Sequence, residues 1–155
     1  MTAILLRVET KKVAAFLENI VEQLTEYVNS ITIHSLGQEG IFDHEYLLEL
    51  LKTTRRLLVF CEEGLEACNS ILKKKSTDEE YMKHVLDKVY CQCIERFFHP
   101  KNDVWYENSR SSYSDEHCIV FRKAVPPTYV SFIYSIELEF QMIREQMEHR
   151  VQSQF

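Results

Sequence analysis

Glycine and proline are scarce in this chain, which has three of each among its 155 residues. Turn-rich β architectures use many such residues, so their scarcity favours a helical protein. The length suits one domain that can bury a core of its own. We therefore expect a single, mainly α-helical domain over residues 1–155.

Long apolar runs and an excess of positive charge are lacking too. No stretch approaches the roughly 20 apolar residues that span a bilayer. The first eight residues have neither the basic segment nor the cleavage site of a signal peptide. The net charge of −6 gives no basic footprint for nucleic acid or for an anionic membrane. These features predict a cytoplasmic protein with no nucleic-acid partner and no membrane partner.

Motifs for catalysis and for cofactor binding are lacking as well. Neither G-x-S-x-G nor a phosphate-binding glycine loop occurs. Among the five cysteines, Cys91 and Cys93 would point about 200° apart on a helix, and no second pair has zinc spacing. The six histidines are scattered, without the spacing of helical metal ligands. We expect no metal and no cofactor.

Four segments carry apolar residues at alternating spacings of four and three, which predicts amphipathic helices. The predicted helices cover residues 9–31, 43–74, 77–98 and 128–151. Thr10 is the expected N-cap of the first, and Ser76 and Thr77 each begin a capping box for the third. Residues 1–8 are either a strand or an extension of the first helix. The pattern predicts a mainly α fold, a four-helix bundle with a small β hairpin inserted between helices 3 and 4.

The second predicted helix is the one around which the others should pack. Its apolar character runs almost all the way round between Leu57 and Cys61, as expected of a covered central helix. Gly64 costs about 1 kcal/mol relative to alanine in a helix interior. We therefore expect a neighbouring helix to approach closely at Gly64.

The inserted segment, residues 99–125, is far longer than the two to eight residues that usually connect bundle helices. Within it, residues 104–107 and 119–123 are predicted to pair as a hairpin. Residues 31–36 are also β-prone and could form a short strand. Since a lone hairpin is marginal in water, it either lies on the bundle or gains a third strand from residues 32–36. Excursions from a rigid scaffold are where binding and catalytic residues concentrate, so we expect any site to lie in this segment.

The inserted segment combines aromatic and charged side chains. The candidate binding residues are Trp105, Tyr106, Arg110, Tyr113, Arg122 and Lys101. Aromatic residues with arginine are typical of binding surfaces, which indicates a non-enzymatic interaction or regulatory module for a protein or a small anionic ligand. In the other interpretation, Trp105 and the tyrosines only pack the hairpin on the bundle, and Arg110 pairs with Glu107 or Asp103.

An enzymatic function is the alternative. Asp103 and Glu107 with His99 would act as acid–base groups, and Arg110 and Arg122 would hold an anion. These residues would suit a small hydrolase or transferase acting on an anionic substrate.

Exposed positions of the central helix leave two further questions. Arg55 and Arg56 are either solvated, or one of them reaches a carboxylate of the inserted segment. The apolar girth of the same helix at Val59 and Phe60 raises a third possibility for function, a helical homodimer.

Two stretches resemble a known family. The first is Arg55–Cys68, and the second is Phe97–Asp103 with Trp105–Glu107, Ser109–Arg110 and Tyr113. Together they are similar to a family of small uncharacterised proteins from Bacillus-type Gram-positive bacteria. The resemblance implies a bacterial, cytosolic, single-domain protein and carries over no activity, cofactor or functional residue.

Overall fold

In a computed structural model, the structure describes residues 2–74, 78–108 and 117–152. In chain order, these ranges contain α1 (Ala3–Ser30), α2 (Ile33–Gly37), α3 (His44–Lys73), α4 (Glu79–Val89), a π-helical segment (Tyr90–Glu95), α5 (Arg96–Phe98), β1 (Trp105–Glu107), β2 (Ile119–Phe121) and α6 (Pro127–Gln152). The prediction of a mainly helical fold with a small hairpin inserted between the third and fourth long helices is confirmed. None of the helices in the described ranges is both long and apolar enough to cross a bilayer.

Helix α1 begins earlier than the apolar pattern predicted. Thr2 is its N-cap, and its hydroxyl accepts a hydrogen bond from the Leu5 amide. Leu6 is fully buried, so the apolar stripe starts one turn before residue 9 and residues 3–8 extend the helix. The prediction of Thr10 as the N-cap is wrong, because Thr10 is buried in the helix and donates its hydroxyl to the Leu6 carbonyl at 2.8 Å.

The β-prone stretch at residues 31–36 forms the short helix α2 instead of a strand. Thr32 and Ser35 form a reciprocal capping box, in which each side-chain oxygen accepts from the other residue's amide at 3.0 Å. This local cap outweighs the β propensity of the isoleucines. The prediction of a third strand is therefore wrong, and the sheet of the described residues has two strands.

Helix α3 packs mainly against α1 and α4, but the prediction that it is covered almost all the way round is wrong, because Val59 is 50% exposed. Asp43 caps the first turn of α3 by accepting from the Tyr46 amide at 3.1 Å. A side-chain carbon added at Gly64 would lie 3.1 Å from Val89 of α4 and 3.3 Å from Leu17 of α1. This confirms the expected close approach, and it explains why a glycine stands there.

The C-terminal end of α3 is closed by a residue from another helix. Arg7 of α1 donates to the backbone carbonyls of Leu72 at 2.6 Å, of Lys74 at 3.0 Å and of Ile71 at 3.4 Å. These carbonyls belong to the last turn, where an α-helix provides no amides of its own. One guanidinium thus ties the beginning of α1 to the end of α3.

The third long helix is not uniform. Asp78 caps its start, accepting from the Glu80 amide at 3.0 Å; the predicted capping boxes of Ser76 and Thr77 begin outside the described residues. From Tyr90 to Glu95 the helix widens into a π-helical turn and then continues as α5. Wide turns of this kind occur frequently at functional sites.

The hairpin lies against the bundle. Its strands are antiparallel, with Trp105 opposite Phe121. The hydroxyl of Tyr46, on α3, donates to the Val104 carbonyl at 2.5 Å and accepts from the Arg122 amide at 3.1 Å. One core tyrosine therefore bonds to both arms of the inserted segment and fixes its position on α3.

Candidate functional site

Trp105 lies in the core. Its side chain is 1% exposed, and its indole N–H donates to the Phe97 carbonyl at 2.7 Å. The ring makes an edge contact with Phe121. The structure thus places Trp105 as the second interpretation of the sequence describes it, as an anchor that packs the hairpin on the bundle.

The other predicted binding residues lie in different surroundings. Tyr106 is 38% exposed, and the Arg122 guanidinium lies over its ring, 4.2 Å from the centroid. Arg122 also binds Asp103 at 3.0 Å. The predicted binding residues Arg110 and Tyr113 lie outside the described residues.

Of the three candidate acid–base residues, the structure brings Glu107 and His99 together and places Asp103 in a different ion pair. Glu107 accepts two hydrogen bonds from Arg144 of α6, at 2.9 and 2.6 Å. His99 lies 3.4 Å from the same carboxylate, whereas Asp103 pairs with Arg122. Both carboxylates are therefore bound by arginines.

A buried carboxylate that the sequence did not single out holds the second strand. Glu137 of α6 is 1% exposed and accepts hydrogen bonds from the amides of Cys118 and Ile119, each at 3.1 Å. Gln141 adds a third bond at 2.7 Å. These bonds replace the water that the carboxylate loses on burial. Glu137 thus positions the chain where it enters β2.

The cysteines do not form a reactive or metal-binding group. Cys91 is exposed and Cys93 is buried, in keeping with the angle that separates them on a helix. A side-chain hydrogen bond with Cys93, together with burial, raises the pKa of the Cys61 thiol well above its ordinary value. Such a thiol stays protonated and is a poor nucleophile. In the described ranges, no three His, Cys, Asp or Glu side chains are grouped as metal ligands.

A cleft lies between α3 and the first residues of the inserted segment. Its floor is apolar and consists of Leu57, Phe60, Pro100 and Trp105. Its rim is cationic and consists of Arg56, Arg96 and Lys101. The cavity volume is about 40 Å³, far below the roughly 300–1,000 Å³ of typical small-molecule pockets. A cleft of this size accepts a side chain or a small group.

The three rim cations come from three different elements. Arg56 belongs to α3, Arg96 to α5 and Lys101 to the turn that follows. In the part of the chain that the structure describes, none of them forms an ion pair or a hydrogen bond. No carboxylate of a described residue lines the cleft.

Glu49, an acid whose pKa is affected by the charge of Arg56, is already bound elsewhere. Glu49 accepts from Asn102 at 2.8 Å and from Lys52 at 3.3 Å. These hydrogen bonds lower its pKa, and the charge of Arg56 adds a smaller effect in the same direction. Glu49 thus stays charged, and its oxygens bind Asn102 and Lys52, while Arg56 has no direct partner among the described residues.

For Arg56, the sequence left open whether it or Arg55 reaches a carboxylate of the inserted segment. Arg55 and Arg56 are both exposed, and among the described residues neither pairs with a carboxylate of the inserted segment. The interpretation that one of them binds a carboxylate of the insert is therefore wrong for Asp103 and Glu107, and Asp115 and Glu116 lie outside the described residues. The reason is that Arg144 and Arg122 already occupy the first two carboxylates.

Sequence reasoning missed Arg96, although a signal for it was present. Arg56 lies 17 residues before Lys73, the last residue of α3, and Arg96 lies 17 residues after Glu79, the first residue of α4. Antiparallel helices rise equally per residue, so positions equally far from their connection lie at the same level. Counting from the short connection would have placed the two arginines side by side.

Comparisons with known proteins bear on the family but not on an activity. A family model described as "Protein of unknown function (DUF3907)" matches residues 10–154. The "Uncharacterized protein YpuI" of Bacillus subtilis (strain 168) is 38% identical over 145 residues, which cover 94% of this chain and 81% of that protein. No solved structure matches. The resemblance to an uncharacterised Bacillus-type family is thus confirmed.

Proposed function

This chain belongs to the DUF3907 family, and from that premise we propose that it is a non-enzymatic interaction module that recognises an anionic partner at the cationic cleft. The observation that carries the proposal is the set of three rim cations, none of which has a carboxylate partner among residues 2–74, 78–108 and 117–152. In a chain with a net charge of −6, neighbouring cations would readily be neutralised by its own acids. A cationic rim over an apolar floor therefore favours an external anion.

The alternative of a small hydrolase or transferase has less support. Glu107 and Asp103 already have arginine partners, Arg144 and Arg122 respectively. The cleft itself presents cations and apolar groups, without an acid or base of the described residues among them. Binding without chemistry is what these groups support.

We also propose that the protein acts in the cytoplasm. All five cysteines are free, and four of them are buried. Thiols that stay unpaired suit a reducing compartment, where disulfides are rare. Alkylation of the thiols in intact cells, followed by mass spectrometry of the purified protein, would test this: disulfide-linked cysteines would contradict it.

Thermal unfolding in the presence of anions tests the proposed function. We expect phosphate and citrate to raise the melting temperature, because a ligand at about 100 times its dissociation constant adds about 2.7 kcal/mol to the free energy of unfolding. Arg96→Gln should abolish the increase. Arg55→Gln is the matched control, since it removes an exposed arginine next to Arg56 that does not line the cleft.

The two variants separate binding from the general effect of salt. Phosphate and citrate strengthen apolar burial in any protein because they are excluded from its surface. If the wild-type chain and both variants gain the same number of degrees, the anions act in that general way. Equal gains would therefore contradict an anion site at the cleft.

A further inference from the structure

We infer that the occupant of the cleft is an acidic peptide segment that inserts one apolar side chain between the three cations. The inference rests on the proposed function, because it specifies the partner of the same site. Three features of the cleft support it: an apolar floor, a cationic rim, and neutral polar side chains that are already hydrogen-bonded within the protein.

The floor of the cleft favours an apolar group of the ligand. Leu57, Pro100 and Trp105 are buried, and Phe60 is half-buried. A water molecule needs at least about 10–15 Å³ and two or more polar partners, so the cleft has room for about three water molecules over a surface that binds them poorly. The tip of a leucine or phenylalanine side chain would displace them favourably.

The arrangement of the three rim cations favours several carboxylates over a single phosphate. Sites for a single phosphate converge backbone amides on it, often at a helix N-terminus. Here α5 continues directly from the π-helical segment, so its first amides lie inside a longer helix. Pro100 has no amide hydrogen to donate. Three cations on three elements instead match carboxylates that stand on both sides of an anchoring residue.

The neutral polar residues of the cleft are occupied within the protein. The Thr53 hydroxyl donates to the Glu49 carbonyl and contacts the side-chain oxygen of Asn102, each at 2.9 Å. Asn102 in turn donates to Glu49. Recognition of a sugar or a base by hydrogen bonds would need such groups to be available. Charge and apolar contact are what the cleft offers, and acidic peptides with an apolar residue provide both.

The single tryptophan makes occupancy measurable. Trp105 is the only tryptophan of the chain, it lines the floor, and its indole bonds to the carbonyl of Phe97, the neighbour of Arg96. An apolar group that excludes water from the floor should therefore change the emission of Trp105. No label has to be attached.

The experiment is a titration of the full chain with four probes at low ionic strength, followed by Trp105 fluorescence and by calorimetry. The first probe is the capped peptide Gly-Glu-Glu-Leu-Glu-Glu-Gly. The second has alanine for leucine, the third has lysine for every glutamate, and the fourth is inorganic phosphate. We expect the leucine peptide to bind roughly tenfold or more tightly than the alanine peptide, because the alanine side chain buries three carbons fewer than leucine does. The lysine peptide should not bind, and added salt should weaken the leucine peptide.

Variants assign the binding to the cleft. Arg96→Gln and Lys101→Gln should each weaken the leucine peptide several-fold, while Arg96→Lys should retain much of the affinity because it keeps the charge. Arg55→Gln should bind as the wild type does. Lys101 is exposed, so its variant remains informative even if Arg96→Gln disturbs the fold.

The outcomes separate the two proposals. If the alanine peptide binds as tightly as the leucine peptide, or if Lys101→Gln and Arg55→Gln behave alike, the peptide inference is overturned. If phosphate alone binds and Arg96→Gln abolishes it, the anion site stands and the peptide inference fails. If neither peptides nor phosphate nor citrate bind, both proposals fail.

Discussion

The arginines of α6 and the arginines beside the cleft differ in their ion pairing. Arg150 is 4% exposed and lies 2.6 Å from Glu9 and 3.0 Å from Asp87. Arg144, also on α6, binds both oxygens of Glu107. The cations of the cleft have no such partners in the part of the chain that the structure describes. The difference teaches that arginine content alone indicates little, because pairing decides whether a guanidinium stabilises the fold or is available to a partner.

The largest effect should come from the most buried of these cations. Arg150→Met should lower the free energy of unfolding by about 3 kcal/mol or more, because it leaves the Glu9 carboxylate buried without its partner. Urea unfolding followed by circular dichroism measures this. Arg56→Met is the matched control and should change the stability by less than about 0.5 kcal/mol. Equal losses in the two variants would remove the distinction between paired and unpaired arginines.

The pH dependence of the Arg150→Met variant sharpens the same test. Burial raises the pKa of Glu9, and the hydrogen bond and charge of Arg150 oppose this. Without Arg150 the folded-state pKa should rise further above the ordinary value of 4.5. The extra loss of stability should therefore appear as the pH rises through 4.5, and it should shrink below that pH, where the unfolded chain is protonated as well. A loss that stays constant down to pH 3, well below that value, would argue against Glu9 as its source.

The second effect concerns the pair that joins α6 to the hairpin. The Arg144 and Glu107 side chains are 18% and 12% exposed, so Arg144→Gln and Glu107→Gln should each cost about 2 kcal/mol. A double-mutant cycle by urea unfolding should give a coupling energy of about 1–2 kcal/mol. If the two losses simply add, the pair does not hold the hairpin on the bundle.

The smallest effect is expected for a pair on the surface. Lys123 binds Asp43 at 2.7 Å, and the pKa of Asp43 is lowered first by this hydrogen bond and then by that of the Tyr46 amide. Lys123→Gln should move the pKa back toward the ordinary 3.8, as measured by NMR titration of the carboxyl carbon. Any stabilisation by the pair is present above 3.8 and is lost as the pH falls through the lowered folded-state pKa.

The unpaired lysine of the cleft provides the control for this titration. Lys101→Gln removes a lysine that has no partner among the described residues, so the pKa of Asp43 should not change. If both variants shift that pKa equally, the cause is the net charge of the molecule and not the contact with Lys123.

The long helices could be predicted because the spacing of their apolar residues is a local property of the chain. Gly64 is an example, since its cost within a helix already implied the close approach of a neighbour. The predictions were wrong where the hydrogen bond of a polar side chain determines where a helix begins. Thr2 begins α1 and the Thr32–Ser35 box begins α2, and both outweigh the general propensities that had indicated Thr10 and a strand.

The candidate site could be predicted only in part, for a different reason. The sequence indicated the inserted segment and Lys101, which lines the cleft. It could not indicate that Arg144 and Glu137 of α6 hold the hairpin, because those contacts join residues far apart in the chain. It also could not distinguish a buried Trp105 from an exposed one, since an aromatic residue at the start of a strand suits both positions.

The guanidinium of Arg7 has a practical consequence for the boundaries of the folded unit. The family match begins at residue 10, so a protein trimmed to the matched residues would lack Arg7 and the fully buried Leu6. The carbonyls at the end of α3 would lose their donor, and the end of the central helix would fray into solvent. The shortest piece that keeps α3 intact therefore starts ahead of the match, at the cap residue Thr2.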